Sequence, residues 1–128
     1  MAHSIAEFEE FRRTDDVRRF ADDWLLEARR NDVAGSRHMD LLYWTKSNPH
    51  QALAIILELL DRTDNEDAIQ ESIALGDADR IVEWPADDFL PYLVHAVRSH
   101  PVFALCTKSK REHAGAGRWK NLQEGASR

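Results

Sequence analysis

The sequence predicts an all-α fold, either a compact bundle or a short stack of helical hairpins, with about 6–8 helices. Apolar residues recur at helical spacing along most of the chain, and no segment alternates between apolar and polar residues as a half-buried strand would. Turn signals recur about every 15–20 residues, which is typical of helices joined by short loops. The 128 residues fit one domain, which we expect to cover residues 1–122, with residues 123–128 as a frayed tail.

The first two predicted helices have clear N-terminal signals. Ser4, followed three residues later by Glu7, has the pattern of a capping box, in which each side chain bonds to the backbone N–H of the other residue. Thr14 is the predicted N-cap of the second helix, and two arginines at its end suit the negative end of the helix dipole. The apolar residues of the second helix form one stripe, which consists of Val17, Phe20, Ala21, Trp24, Leu25 and Ala28.

The third and fourth helices are predicted on either side of Asn48. Ser36 is the predicted N-cap of the third helix. Asn48 caps the fourth helix, and Pro49 takes its first position, where the missing N–H costs nothing. The segment "ALAIILELL" is apolar on nearly all sides, so we expect the fourth helix at the centre of the domain. The apolar face predicted for the third helix carries Met39, Leu42 and Tyr43, widened by Leu41 and Trp44.

A glycine and a proline set the predicted limits of the fifth helix and of the turn after it. The fifth helix is expected to begin at a cap residue, Thr63 or Asp64, and to end at Gly76. The acidic residues that follow, Asp77 first, then fit a helix C-cap that runs into the next N-cap. A short helical turn is expected before Pro85, because the residue before a proline disfavours the helical conformation.

Prolines also position the last two predicted helices. One begins near Asp87 and accommodates Pro91, because a proline in the first helical turn removes no hydrogen bond. The other begins at His100 and Pro101, again a cap residue followed by a proline. Beyond Lys110 the periodicity fades, and the glycine-rich, basic segment "REHAGAGRWKNL" predicts irregular structure.

The net charge of −6 is unevenly distributed along the chain. Residues 1–100 hold 21 acidic and 11 basic side chains, whereas residues 101–128 hold 2 and 6. An acidic body disfavours broad contact with nucleic-acid phosphates, which bind where Lys and Arg cluster. The single cysteine, Cys106, forms no internal disulfide, and the sequence shows neither a secretory leader nor a membrane-spanning segment. We therefore expect a cytoplasmic protein that has no membrane partner.

From Trp44 onward the order of motifs resembles an uncharacterised family of small bacterial helical domains. The shared features are a tryptophan after an early amphipathic helix, an Asn-Pro cap before "ALAIILELL", and the segment "ALGDADRIVEW". A late aromatic helix, a Pro-x-Phe segment and the closing "GRWKN" complete the likeness, which covers Thr14 to Leu122. Because this family has no assigned activity, the resemblance implies a fold and a bacterial origin, and no catalytic residue.

The sequence lacks the motifs of several common catalytic and cofactor sites. It contains no GxxxxGK[ST] loop, no GxGxxG, no CxxC pair, no HExxH and no GxSxG. We therefore predict no metal and no cofactor. His95 is expected to be a core or boundary histidine, and Cys106 a structural thiol. An enzyme is the least favoured of three functional hypotheses, and its site would be assembled from His95, Asp87, Asp88 and Glu112.

The favoured hypothesis is a non-enzymatic domain that binds another protein, with its acidic surface presented to a basic partner. Small acidic immunity proteins and inhibitors share this profile, and complementary charge speeds association with the correct partner. The predicted partner-binding residues are Asp22, Asp23, Asp61, Asp64, Glu66, Asp67, Asp87 and Asp88.

The alternative hypothesis is nucleic-acid or phosphate binding through the basic segment near the end of the chain. Glycines allow a backbone to approach an anion closely, and an aromatic ring can stack on a base. In the favoured interpretation of this segment, its cations instead pair with the acidic body while Trp119 docks on the helical core as a latch. The candidate anion-binding residues are Lys108, Lys110, Arg111, Arg118, Trp119 and Lys120.

Overall fold

The structure is a computed structural model that describes residues 4–30, 36–83 and 85–113, without the side chains of residues 36 and 109–113. In these ranges the chain forms seven helices, counting the unbroken helical run over residues 67–81 as one, and no strand. This confirms the prediction of an all-α bundle of about 6–8 helices. The helical segments are α1 (Ile5–Arg12), α2 (Asp15–Arg29), α3 (Ser36–Ser47), α4 (Pro49–Arg62), α5 (Asp67–Ile73), a π-helical turn (Ala74–Ala78), α6 (Asp79–Ile81), α7 (Leu90–Ser99) and α8 (Pro101–His113).

Helix α4 is the centre of the bundle, as its sequence predicts. It contacts each of the other described helices and the π turn. Its residues from Ala52 to Leu60 are buried with the exception of Glu58, which is partly exposed. A helix that is apolar on nearly all sides can bury all of these sides only when other helices surround it. The other described helices surround α4 in this way.

Helix α2 buries the stripe that its periodicity predicts. Val17, Ala21, Trp24 and Leu25 are buried, and the other two stripe residues pack partly buried against the same core. The cap is different from the prediction, because Thr14 stands at the N-cap position without a side-chain capping bond. The hydroxyl of this threonine donates to the carbonyl oxygen of Phe11 at 2.8 Å, which fixes the turn between α1 and α2.

The Ser4 bond of the predicted capping box is confirmed, since the Ser4 hydroxyl accepts from the backbone N–H of Glu7 at 3.1 Å. The start of α4 is also placed correctly, with Asn48 at the N-cap position and Pro49 in the first turn. Asn48 makes no side-chain capping bond, however, and its amide donates to the side-chain oxygen of Gln51 at 2.7 Å.

The predicted apolar face of α3 is only partly correct, because Leu41 and Trp44 pack in the core whereas two of its other residues are exposed. Leu41 and Thr45 are buried, whereas Met39 and Tyr43 are 57% and 71% exposed. The Thr45 hydroxyl donates to a backbone carbonyl oxygen of its own helix at 2.6 Å, so it can be buried without losing a hydrogen bond.

Aromatic contacts with α2 explain which face of α3 turns inward. Trp24 stacks on His38 with 4.1 Å between the ring centroids, and Phe20 packs against Trp44 at 5.0 Å. These contacts place the side of α3 that carries Leu41 against α2 and α4. Contacts between aromatic rings on different helices leave no periodic signal in the sequence of α3 itself.

The predicted start of the fifth helix is a few residues too early. The helix begins at Asp67, and Glu66 holds the N-cap position. Thr63 belongs to the end of α4, where its buried hydroxyl donates to the carbonyl oxygen of Leu59 at 2.8 Å. A threonine that bonds back into the preceding turn satisfies its own hydroxyl and has the same sequence signature as a cap.

The predicted end of the fifth helix at Gly76 is also wrong. Gly76 lies inside the π turn, and the helix continues through it into α6. Consequently Asp77 is part of a helix and is buried, instead of joining a C-cap to an N-cap. Ile73, Ala78 and Ile81 are buried on both sides of the glycine. Their burial outweighs the cost of a glycine inside a helix, about 1 kcal/mol.

The start of α8 at Pro101 is as predicted, whereas the start of α7 is predicted three residues too early, near Asp87. Helix α7 begins at Leu90 with Pro91 in its first turn, so Asp87 lies in the turn before it. His100 separates α7 from α8. The irregular structure predicted beyond Lys110 is wrong for the first three residues of that segment, because α8 continues to His113, where the description ends. The docking of Trp119 falls outside the described residues. Among the residues that the structure describes, no helix is long and apolar enough to cross a bilayer.

Candidate functional site

A pocket of about 630 Å³ lies between α1, the start of α2 and the first half of α4. Its floor is apolar and well packed, because Phe8, Val17 and Ile55 belong to the buried core. Phe11 adds a partly buried ring. The full lining is Glu7, Phe8, Glu10, Phe11, Thr14, Asp16, Val17, Asn48, His50, Gln51 and Ile55.

Three carboxylates rim this pocket, and within the described part of the chain none of its lining residues is Lys or Arg. Glu7, Glu10 and Asp16 are all exposed. Glu7 and Asp16 lie in the first turns of their helices, where the helix dipole favours negative charge. Glu10 and Asp16 form no ion pair with a residue in the described ranges. The pocket therefore joins an apolar floor to a negative rim.

Aromatic packing behind the floor holds the pocket in shape. His50 meets the rings of Phe89 and Tyr92 edge-on, at centroid distances of 5.0 and 4.5 Å. Phe8 meets Tyr92 edge-on at 5.7 Å. Edge-to-face contacts of this kind stabilise a packed cluster beyond their buried area. They join α1, α4 and α7, so the pocket is preformed.

The opposite side of α1 is held by a polar cluster, which we call the α1 clamp and which consists of Glu9, Arg12, Asp61, His95 and His100. Glu9 bonds to His95 Nε2 at 2.9 Å and to Arg12 Nη1 at 3.2 Å. Arg12 Nη2 reaches Asp61 at 3.3 Å, and Arg12 Nη1 lies 2.9 Å from His100 Nε2. The clamp therefore joins α1 to the end of α4, to α7 and to the residue between α7 and α8.

The contact with Arg12 fixes the tautomer of His100. A guanidinium group has only donors, so His100 Nε2 must accept, and the ring proton lies on Nδ1. Nδ1 faces a carboxylate oxygen of Asp61 at 3.6 Å. Burial and the charge of Arg12 lower the pKa of His100, against the opposing charges of Asp61 and Glu9. This arrangement therefore favours the neutral form of His100.

Glu9 is held in its charged form by the same cluster. Burial raises the pKa of Glu9, but the hydrogen bond with His95 and the charge of Arg12 outweigh this and lower it overall. His95 is thus a boundary histidine, as the sequence predicts, and its partner lies 86 residues away in the chain. No local sequence signal connects these residues.

Four of the predicted acidic surface residues pair with arginines of the protein itself. Their partners lie on other helical elements, since Asp22 pairs with Arg62, Asp23 with Arg37, Asp61 with Arg12, and Glu66 with Arg29. The pair of Glu66 and Arg29 is bidentate, with distances of 2.7 and 3.1 Å. These acids offer less free charge than the sequence alone indicates. The other four predicted acids, all exposed, are Asp64, Asp67, Asp87 and Asp88.

The candidate anion-binding residues fall mostly outside the described part of the chain. Lys108 is exposed on α8. Lys110 and Arg111 extend α8, but their side chains lie outside the description, as do Arg118, Trp119 and Lys120. Anion binding by this segment therefore stays a prediction.

The residues proposed for an enzyme site lie in different surroundings. His95 bonds to Glu9, whereas Asp87 and Asp88 lie exposed in the turn before α7, and the side chain of Glu112 is outside the description. Burial raises the pKa of the partly buried Cys106 thiol, which makes it a weaker nucleophile at neutral pH. In the described ranges, no group of three or more His, Cys, Asp or Glu could hold a metal ion.

A separate ionisable group lies inside the π turn. Asp77 is only 8% exposed, and burial raises its pKa to about 6. A hydrogen bond from its own backbone N–H and the charge of Arg80 oppose this rise. This carboxyl group titrates far closer to neutral pH than an ordinary aspartate.

Comparison of the chain with models of protein families, with curated protein sequences and with solved structures gave no match. The resemblance over Thr14 to Leu122 therefore stays a prediction.

Proposed function

We propose that the protein is a non-enzymatic interaction domain that binds a basic segment of another protein in the pocket between α1 and α4. One observation carries this proposal: the pocket combines a buried apolar floor with a rim of three exposed carboxylates, and no Lys or Arg is among the described residues that line it. A cationic segment with an apolar side chain at its centre complements both parts.

The two parts of the pocket contribute differently to binding. Burial of one large apolar side chain on the floor contributes about 1.5–3 kcal/mol. Pairing of Lys or Arg with Glu7, Glu10 and Asp16 adds less, because these carboxylates remain in water. Complementary charge chiefly speeds association and rejects acidic competitors.

An inhibitor or immunity-like role is the form of this function that we favour, as the sequence predicts. A nucleic-acid-binding partner has clustered Lys and Arg, because phosphate binding requires them. An acidic domain that covers such a cluster would block access to phosphates. The net charge of −6 supports the same partner class.

The test uses a synthetic pentapeptide, Lys-Lys-Trp-Lys-Lys, as the probe and isothermal titration calorimetry as the measurement. The rim variant carries Glu7→Gln, Glu10→Gln and Asp16→Asn. The peptide is expected to bind the wild-type protein and to bind the rim variant at least about tenfold more weakly, since three charge contacts are lost.

A matched control changes the same number of exposed charges elsewhere, with Asp64→Asn, Asp67→Asn and Glu71→Gln. This control variant is expected to bind the peptide like the wild-type protein. Because Asp64 and Asp67 belong to the acidic surface predicted from the sequence, the control also separates that surface from the pocket. Peptides with Trp replaced by Gly, or with Lys replaced by Gln, are expected to bind weakly to every variant. Equal losses in the rim and control variants would show general charge attraction and end the pocket proposal.

A further inference from the structure

Helix α1 connects the pocket to the clamp, because the two lie on opposite sides of this helix. Glu10 and Phe11 line the pocket, while Glu9 and Arg12 enter the clamp. These four residues fill the last turn of an eight-residue helix. An isolated helix of this length is not stable in water, so its docking contacts decide where it lies.

We propose that the α1 clamp is a pH-sensitive switch: neutral His100 holds the last turn of α1 in the pocket wall, and protonated His100 releases it. This inference concerns regulation of the same pocket, so its consequence for binding depends on the proposed function. The movement of α1 itself does not.

The geometry of Arg12 and His100 carries the proposal. Arg12 donates to His100 Nε2 at 2.9 Å, which is the atom that a second proton would occupy. After protonation, two donors of like charge would face each other at that distance, and Arg12 cannot lose its own proton. One of the two side chains must therefore move away.

The charged or titratable groups that act on His100 are Arg12, Asp61, Glu9 and His95. Two carboxylates would favour the protonated ring, but Glu9 is already engaged by His95 and Arg12, and Asp61 by Arg12. His95 also lies beside these charges, through its bond to Glu9 at 2.9 Å. The release therefore begins at the Arg12 end of α1, next to the wall residues Glu10 and Phe11.

The direction of the pH effect follows from proton binding. Burial and Arg12 lower the pKa of His100 in the closed clamp below its ordinary value of 6.5. The released histidine binds a proton more readily than the clamped one, so falling pH favours release. The stabilisation that neutral His100 provides is complete above 6.5 and is lost as the pH falls through the lowered pKa.

The first test measures hydrogen–deuterium exchange of the backbone amides of α1 at about pH 7.5 and about pH 5.5. The variant His100→Gln keeps an acceptor for Arg12 and cannot titrate. Equal exchange is expected at the higher pH. At the lower pH the wild-type protein should exchange about fivefold faster than the variant, the factor for one lost hydrogen bond.

A matched control, His38→Gln, changes a histidine that stacks on Trp24 and lies outside the clamp. It is expected to follow the wild-type protein at both pH values. Variants are compared at one pH at a time, so intrinsic effects of pH on exchange cancel. Equal exchange in the wild-type protein and His100→Gln at the lower pH would overturn the switch.

A second measurement remains decisive if His100→Gln disturbs the fold. NMR titration of the His100 ring is expected to give a higher pKa in Arg12→Met than in the wild-type protein, because the neighbouring cation is removed. An unchanged or lower pKa would overturn the proposal, since the cation would then not oppose protonation.

Peptide affinity, measured at both pH values, distinguishes failure of the switch from failure of the proposed binding function. The pentapeptide should bind the wild-type protein about fivefold more weakly at the lower pH, and His100→Gln should show a smaller loss. Failure to bind at any pH would end the proposed function, while the exchange result would still decide the switch. Equal pH dependence in both proteins would overturn regulation by His100.

Discussion

Asp77 places an ionisable group where the fold favours its uncharged form. Its folded pKa of about 6 lies above the ordinary value of 3.8, so the folded state binds the proton more tightly than the unfolded chain. The stability gained from this proton is complete below 3.8 and is lost as the pH rises through about 6. At neutral pH the bundle holds a buried charge at a cost.

The variant Asp77→Asn is therefore expected to be more stable than the wild-type protein above about pH 7. A pKa rise of about two units corresponds to a gain of up to about 3 kcal/mol in the free energy of unfolding, because the amide carries no charge. Urea unfolding at about pH 7.5 and about pH 4 would measure it. A gain of the same size at both pH values would contradict this account, since Asp77 is protonated in the folded state at the lower value.

At the scale of single elements, the π turn gives Gly76 an unusual position. A glycine that ends a helix often adopts a left-handed conformation, where any side chain adds strain. Gly76 instead lies within a continuous helix, and a Cβ placed on it meets no atom within 4 Å.

The variant Gly76→Ala is therefore expected to raise the free energy of unfolding by about 0.5–1 kcal/mol, because alanine loses less backbone entropy in a helix. Thermal unfolding followed by circular dichroism would measure the change. Destabilisation by a similar amount would instead support the helix end that the sequence predicts.

The buried face of a helix was predictable where the apolar pattern of that helix alone determines it. Helix α4 is apolar on nearly all sides, and α2 has one stripe, so both could be placed from periodicity alone. Helix α3 has apolar residues around most of its circumference, and contacts with Phe20 and Trp24 choose the side that contains Leu41. A choice made by a neighbouring helix cannot be derived from one segment.

The candidate site was less predictable than the fold for the same reason. The pocket rim comes from two helix starts, whose acids are also explained by the helix dipole alone. Arg12 and His100 are in contact although 88 residues separate them in the sequence. Asp77 is buried in a π turn, which residue spacing does not predict. Contacts between distant residues and a local irregularity of a helix are therefore the main features of the site that the sequence did not predict.

For the molecule as a whole, the central position of α4 makes the bundle one cooperative unit. Leu57 is completely buried in a helix that contacts all the other described helices. Loss of its packing should therefore weaken every helix together.

The variant Leu57→Ala is expected to lower the free energy of unfolding by about 2–5 kcal/mol, because it removes buried methyl groups and leaves a cavity. Residue-resolved hydrogen exchange should show the same loss for slowly exchanging amides in α2, α7 and α8. A loss confined to α3 and α4 would contradict a single cooperative core.

The middle position of α4 in the chain also bears on how the protein is synthesised. Helices α1, α2 and α3 leave the ribosome before the helix against which their apolar sides pack, and α4 ends at Arg62. Until Pro49–Arg62 has emerged, Val17 and Trp24 lack the packing with α4 that helps to bury them after folding. Early folding intermediates are thus open to chaperones and to aggregation until the second half of the chain begins to emerge.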